Sequence, residues 1–380
     1  IYLVKILIIP DSFKGSLTGK AVARAMERGV QSVYPNAECV LMPFSDGGEG
    51  ALDVLQQHVA GTLNYCSTRD PLGRPIEAPY FRFKDQPTAW VELSQTAGLQ
   101  NLTPEEYNPY ETNTYGTGLM ILHALEKGCT SIILGIGGSA THEMGSGIFS
   151  ALGGRIFDQE GNTIPPNGRN LELIKRLNNN ELYIKNKSWD LTIACDVSNP
   201  LLGVNGAAHT YAKQKGARPE MIERLEAGSA HFARVIEQHF GRTITALAGG
   251  GAAGGVAAGL YGFFGAQLQN GFDLLASHTH LQTQIDAADL VITGEGRYDQ
   301  QSDFGKLPQR IITLTQKKQI PTFLFCGSIE AKNTPRPSHL LGIEKIKPDT
   351  MPLDEAMKNA ASLLEKKVSD TLTHYKNNPS

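Results

Sequence analysis

Short apolar runs that stop abruptly in loops of glycine and charge recur at both ends of this chain. That rhythm points to an α/β fold organised around a parallel sheet. One such run opens at Asp289. Leu290-Val291-Ile292 reads as a buried strand, and Thr293-Gly294-Glu295-Gly296-Arg297 follows as its loop. Beyond it the pattern predicts a helix from Pro308 to Gln316, a strand from Pro321 to Phe325, and a closing helix from about Asp354 to Tyr375. The amino-terminal end alternates in the same way. A strand from Leu3 to Ile9 leads through PDSFKGSL to a helix from Ala21 to Val33, and a strand from Glu38 to Met42 leads through PFSDGGEG to a helix from Ala51 to Val59. A third strand is predicted from Gly61 to Cys66, and β-α-β-α-β units of this kind give parallel sheets with right-handed crossovers.

The middle of the chain follows another pattern. After Asp70-Pro71-Leu72-Gly73-Arg74-Pro75, the segments Ile76 to Phe83 and Thr88 to Leu93 read as a hairpin around Lys84-Asp85-Gln86-Pro87. A helix from Tyr115 to Lys127, strands from Ser131 to Leu134 and Leu191 to Cys195, and a helix from Pro219 to His239 follow. The polar stretch from Asn170 to Lys187 reads as a surface excursion. In Leu247 to Phe263, Gly251, Gly255 and Gly259 recur every four residues, the spacing of either a closely packed helix face or an anion-binding loop. The two ends thus resemble each other more than the middle. We expect two α/β domains: a discontinuous one from residues 1–69 with 289–380, and an inserted one from 70–288.

A net charge of −3 argues against a nucleic-acid surface, which needs a basic face. The five cysteines are scattered with no CxxC pair, so neither a disulfide framework nor a zinc site is expected, and reduced thiols suit the cytoplasm. The opening run IYLVKILIIP is too short and too interrupted for a membrane span and reads as a core strand. These features predict a soluble cytoplasmic protein with neither membrane nor nucleic-acid partners, and leave a homo-oligomer open.

Four strand-end loops carry reactive side chains. They hold Asp11, Ser12, Lys14 and Ser16; then Ser45, Asp46 and Glu49 around Gly47-Gly48; then Gly137-Gly138-Ser139-Ala140-Thr141; and finally Glu295 to Lys306. Phosphoryl transfer needs this set of groups: amides and cations around phosphate oxygens, carboxylates for Mg²⁺, and a base near the accepting hydroxyl. Each loop alone would equally make a solvated turn. Several other chemistries lack their signatures. Gly15-Ser16-Leu17-Thr18-Gly19-Lys20-Ala21 is one spacer short of a P-loop and lacks its final hydroxyl, no dinucleotide fingerprint follows the first strand, His142-Glu143 has no second histidine four positions on, and there is no GxSxG elbow.

Taken together, PDSFKGSL, SDGGEG, GIGGSAT, ACDVSNPLLG and VITGEGRYD followed by GK resemble the bacterial glycerate kinase family, in family order from Val4 to about Ser328. Asp70-Pro71-Leu72-Gly73-Arg74, Glu92-Leu93-Ser94 and Gln214-Lys215-Gly216-Ala217 extend the match. The resemblance implies ATP-dependent phosphorylation of D-glycerate with Mg²⁺. It also implies a flavodoxin-like domain made from both chain ends, with a separate α/β domain inserted, and the need to exclude water from the transfer would suit an active site in the cleft between them. Family motif residues carry over as Asp11, Ser12, Lys14, Asp46, Gly47, Gly48, Glu49, Ser139, Asp196, Asn199, Glu295 and Asp299. Asp196 or Asp299 is expected as base or metal ligand, Glu295 as metal ligand, and Lys14 and Arg297 as cations for the glycerate carboxylate or the phosphoryl group. The amides of Gly137 to Ala140 and of Gly249 to Gly255, with Gly250 and Gly251, are candidate phosphate cradles. The chain departs from the family where Asn-Asp-Gly-Gly is usual and it has His142-Glu143-Met144-Gly145, and again at Tyr298-Asp299-Gln300-Gln301-Ser302. A kinase for another small hydroxy acid, or a non-catalytic nucleotide or sugar-acid binder on the same scaffold, are the other readings.

Overall fold

A computed structural model describes residues 4–44, 50–185, 187–298, 307–330 and 337–377. Its strands in chain order are β1 (Lys5–Pro10), β2 (Glu38–Leu41), β3 (Gly61–Arg69), β4 (Pro75–Phe83), β5 (Thr88–Glu92), β6 (Ser131–Gly135) and β7 (Arg155–Phe157). They continue with β8 (Arg176–Asn178), β9 (Asp190–Ala194), β10 (Gln267–Gln269), β11 (Leu290–Tyr298), β12 (Thr322–Ile329) and β13 (Leu340–Lys345). The chain divides into two compact units: Ile1–Asp46 with Ala276–Ser380, and Gly47–Leu275.

The first unit holds a five-stranded sheet in the order β13-β12-β11-β1-β2, with every pair parallel. Numbered within this unit the order is 5-4-3-1-2, the flavodoxin-like arrangement, which reverses direction between β1 and β11. Ile6, Leu7, Ile8 and Ile9 are fully buried, as expected of a strand covered on both faces. On one face the helices Gly19–Val33 and Ala360–Asn377 pack on the sheet through Val22, Met26, Leu364 and Val368. They cross closely at Gly29, where a Cβ would lie 2.6 Å from the Glu365 carbonyl oxygen. The helix Leu307–Gln316 packs on the sheet too, its Ile312 against Leu324 and Cys326.

The second unit holds a six-stranded sheet in the order β10-β9-β6-β5-β4-β3, parallel from β10 to β5 and antiparallel through β4 and β3, and the small hairpin β7-β8. The hairpin between β4 and β5 is the one the sequence predicts. The boundaries move, however. β3 was expected beside the first two strands, but it forms nine antiparallel pairs with β4 instead. The turn between them explains the switch: Asp70 donates its N–H to Arg74 at 2.9 Å, its carboxylate accepts the N–H groups of Leu72 and Arg74, and Gly73 takes φ 85°. A tight turn commits the following strand to a hairpin, so the first break falls near residue 46 and not 69; the second falls at 275 and not 288.

Other differences are local. β11 runs on through Glu295 and Arg297 to Tyr298, where a loop was expected. The stretch from Asn170 to Lys187 contains β8, and the closing helix is two helices, Leu353–Lys358 and Ala360–Asn377. The glycine run combines a left-handed turn with a closely packed helix face. Ala253, Gly254 and Gly255 are left-handed, and beyond them a helix reaches Phe264 with Gly259 against the Met144 carbonyl, 1.7 Å from where a Cβ would be.

Candidate functional site

A cavity of about 530 Å³ opens at the carboxyl ends of β1, β11 and β12 in the first unit. This is where the strand order reverses, the position at which open α/β sheets bind ligands. The loop after β1 contributes Asp11, Ser12, Lys14 and Ser16, and the end of β11 contributes Glu295 and Arg297. The sequence-predicted residues of these two loops therefore come together. Asp11 and Ser12 are half-buried, Lys14 is exposed and Glu295 is buried. The Asp11 N–H donates to the Gly294 carbonyl at 2.8 Å, tying the loop to β11, while the Asp11 carboxylate accepts the Ser12 N–H at 2.6 Å. Arg297 forms an ion pair with Glu330, which follows β12. Both side chains are more than half exposed, so the pair is worth little and an incoming anion can compete for the guanidinium.

Glycine lets these backbones approach. A Cβ at Gly296 would lie 3.2 Å from the Cα of Phe13, and one at Gly327 only 2.4 Å from the Gly296 carbonyl oxygen. Gly327→Ala must push β11 and β12 apart, at a cost of about 1–3 kcal/mol. The expected result is a lower thermal unfolding midpoint, and an unchanged midpoint would show that the contact relaxes freely.

A second cluster lies in the other unit. The register Gly135↔Ala194 brings the loops after β6 and β9 to the same sheet edge. Gly137 is half-buried, Gly138 is exposed with φ 69°, and Ser139 and Ala140 are buried. The Ala140 amide is committed to the Ala97 carbonyl at 2.8 Å. Asp196 is exposed just past β9. Asn199 works on the fold: its Nδ2 donates to the Asn205 carbonyl at 2.9 Å and its Oδ1 accepts the Tyr211 hydroxyl at 2.7 Å.

Gly250 and Gly251 do not form the open cradle expected of them. Their amides donate to the carbonyls of Leu247 and Asn199, both at 3.0 Å, and a Cβ on Gly251 would sit 2.2 Å from the Pro200 carbonyl oxygen. Both glycines are buried; Gly251 packs against the loop after β9 at Pro200, and Gly250 packs within the run itself against Leu247 and Ala258. The pattern is that of close backbone packing, and these two amides are already satisfied within the fold.

Beneath the Gly137 to Thr141 loop lies a group of buried ionisable side chains. Lys215 is 1 % exposed, and its Nζ donates to the Ser139 Oγ at 2.8 Å and to the Thr141 carbonyl at 2.7 Å. Burial pulls its ammonium down to about 7, with partial opposition from the Glu143 carboxylate. Glu143 accepts from the Thr114 and Ser146 hydroxyls at 2.9 and 2.7 Å and from the amides of Gly145 and Gly147 at 3.1 and 2.6 Å. Burial raises its pKa against those bonds. His142 is held at about 3, first by burial and then by Lys215. His142, Glu143 and Met144, the first of the two departures from the family pattern, are therefore committed to the interior. Met144 adopts φ 57° where that pattern has glycine, a conformation costing an L-residue about 1–2 kcal/mol.

Glu92 is another fully buried carboxylate, and it accepts the Leu52 N–H at 3.0 Å at the start of the helix Ala51–His58. Lys215 and Glu92 were visible in the sequence only as parts of motif segments. Composition gives no sign of their burial, because lysine and glutamate are ordinarily solvated. Asp46, Gly47, Gly48, Glu49 and Asp299 lie outside the described residues.

The model of the glycerate kinase family matches residues 6–376. A glycerate kinase of Halalkalibacterium halodurans is 39% identical over 363 residues, 95% of each chain. The glycerate 2-kinase of Escherichia coli is 38% identical over 326 residues, 86% of each chain. The crystal structure of a putative glycerate kinase 2 from Salmonella typhimurium superposes with a TM-score of 0.82 at 36% identity, covering 99% of both chains.

Proposed function

From membership of the glycerate kinase family, to which this chain belongs, we infer that it transfers the γ-phosphoryl group of ATP to a hydroxyl of D-glycerate in the presence of Mg²⁺. The family match along almost the whole chain carries this reading. The gathering of Asp11, Ser12, Lys14, Glu295 and Arg297 at the strand-order reversal supports it. Phosphoryl transfer asks the protein mainly for positioning and charge compensation.

In this reading Lys14 and Arg297 balance the anionic groups. Glu295 and Asp11 offer hard oxygen donors beside them, which suits Mg²⁺, an ion that takes one or two carboxylates and fills its remaining positions from phosphates and water. Bound there, the cation would neutralise charge on the transferring group. Asp196 is the accepting-hydroxyl base, with a metal-ligand role and Asp299 as the other assignments. Ser139 and the Gly137 and Gly138 backbone serve an anion in the second unit. A cytoplasmic location belongs to the same proposal, since five free thiols suit a reducing compartment. Among the described residues no helix is long and apolar enough to cross a membrane.

The name of the Escherichia coli relative supports the 2-hydroxyl as acceptor. ADP release with D-glycerate, ATP and Mg²⁺, followed by phosphorus NMR, tests both steps. The expected product shows phosphorus split by one proton, the signature of an ester at C2. Splitting by two protons would move the acceptor to C3. ATP binding with no glycerate-dependent turnover would favour another hydroxy acid or a non-catalytic binder.

A further inference from the structure

The cavity of the first unit has two unlike walls. One is the charged set at the strand ends. The other comes from the segment that follows β13: Ile346, Leu353, Ala356, Met357, Ala360 and Leu363 line it with apolar surface. The walls are joined where the Ser16 hydroxyl donates to the Met357 carbonyl at 2.7 Å, so the loop after β1 holds the helix Leu353–Lys358 in place. Lys347 joins Lys14 and Arg297 as a third cation lining the cavity.

D-Glycerate is a three-carbon acid with a polar group on every carbon. It gains nothing from an apolar wall, and burying its hydroxyls there carries a desolvation cost. A cavity of about 530 Å³ is also far larger than such a molecule needs. The ligand that matches is one with a flat apolar end and a polyanionic end. We propose that this cavity is the nucleotide subsite, with the purine base of ATP against Leu353, Met357 and Ala360 and its phosphates toward Lys14 and Lys347. The assignment rests on the kinase reading and adds to it where the base binds. The exposed Leu353, 61 % accessible in the protein without ligand, then has a purpose, because a bound base covers it.

Leu353→Asp tests this with little risk to folding, since the side chain is at the surface. It removes an apolar contact and brings a carboxylate toward the base and phosphates. Calorimetric ADP affinity and the KM for ATP should each worsen by roughly tenfold or more, while the KM for D-glycerate stays put. Met357→Ala should act in the same direction. Photolabelling of the wild-type protein with 8-azido-ATP should mark the peptide spanning residues 346–363. Unchanged ADP affinity in both variants, a rise in the D-glycerate KM alone, or labelling of a different peptide would overturn the assignment and leave the kinase reading standing. A wild-type protein that neither binds ADP nor turns over ATP would overturn both.

Discussion

Asp196→Asn is expected to lower kcat by about 10²- to 10⁴-fold, the usual contribution of a positioned general base, while the thermal midpoint barely moves. The separation of the two readouts follows from where the residue lies. Asp196 is exposed immediately after β9, on the sheet edge that also carries the Gly137 to Ala140 loop. Exposed side chains replaced by isosteric ones usually change stability by about half a kcal/mol or less. The amide, however, cannot accept a proton from the glycerate hydroxyl, and its neutral oxygen holds a cation more weakly than the carboxylate does. Steady-state kinetics beside a melting curve decide the matter. A variant with wild-type kcat would remove Asp196 from the chemistry and leave Asp299 as the base. A Mg²⁺ requirement shifted to much higher concentration, with modest loss of kcat, would mark Asp196 as a metal ligand.

The parallel sheet of the first unit was legible because β-branched runs such as Leu290-Val291-Ile292 and the stop signals after them are local features. The sheet that β3 joins was not. A strand carries its own periodicity but no label for its partner, and the choice was made by the turn at Asp70 to Arg74. The cavity's charged wall was legible for the same reason as the strands, since motif loops announce themselves by glycine and charge. Of its apolar wall, Met357, Ala360 and Leu363 fall within the closing helix expected from about Asp354 to Tyr375 and Leu353 just before it, and apolar residues of a helix carry no mark that tells a ligand-facing surface from a packing one. The glycine run illustrates the opposite error. Gly250 and Gly251 look like a phosphate loop, yet a glycine needed for close packing and one needed for an anion are the same residue in a sequence.

Lys215→Met has an effect whose size depends on pH, and this separates a buried hydrogen-bonding lysine from a merely buried one. In the folded chain Lys215 loses its proton near pH 7, and in the unfolded chain near pH 10.4. Between these values the unfolded state holds a proton that the folded state has released, so raising the pH stabilises the fold by up to about 1.4 kcal/mol per unit from this group. Below pH 7 both states are protonated, and the fold bears the full penalty of a buried charge, softened by Glu143. Methionine abolishes this slope. At about pH 9 the wild-type amine is neutral and donates to Ser139 and Thr141, so the variant lacks those bonds and leaves the Thr141 carbonyl without its lysine donor. A deficit of about 2–4 kcal/mol follows. At about pH 6 the variant also escapes the cost of the buried ammonium, and the deficit should shrink toward zero. Denaturant unfolding of both proteins across this range reads the difference directly, with the remaining titratable groups largely cancelling between them. A constant deficit at every pH would show that Lys215 keeps its proton throughout. Loss of the Ser139 contact should also raise a substrate KM in the variant at either pH, and a KM that follows wild type would release Ser139 from any part in anion binding.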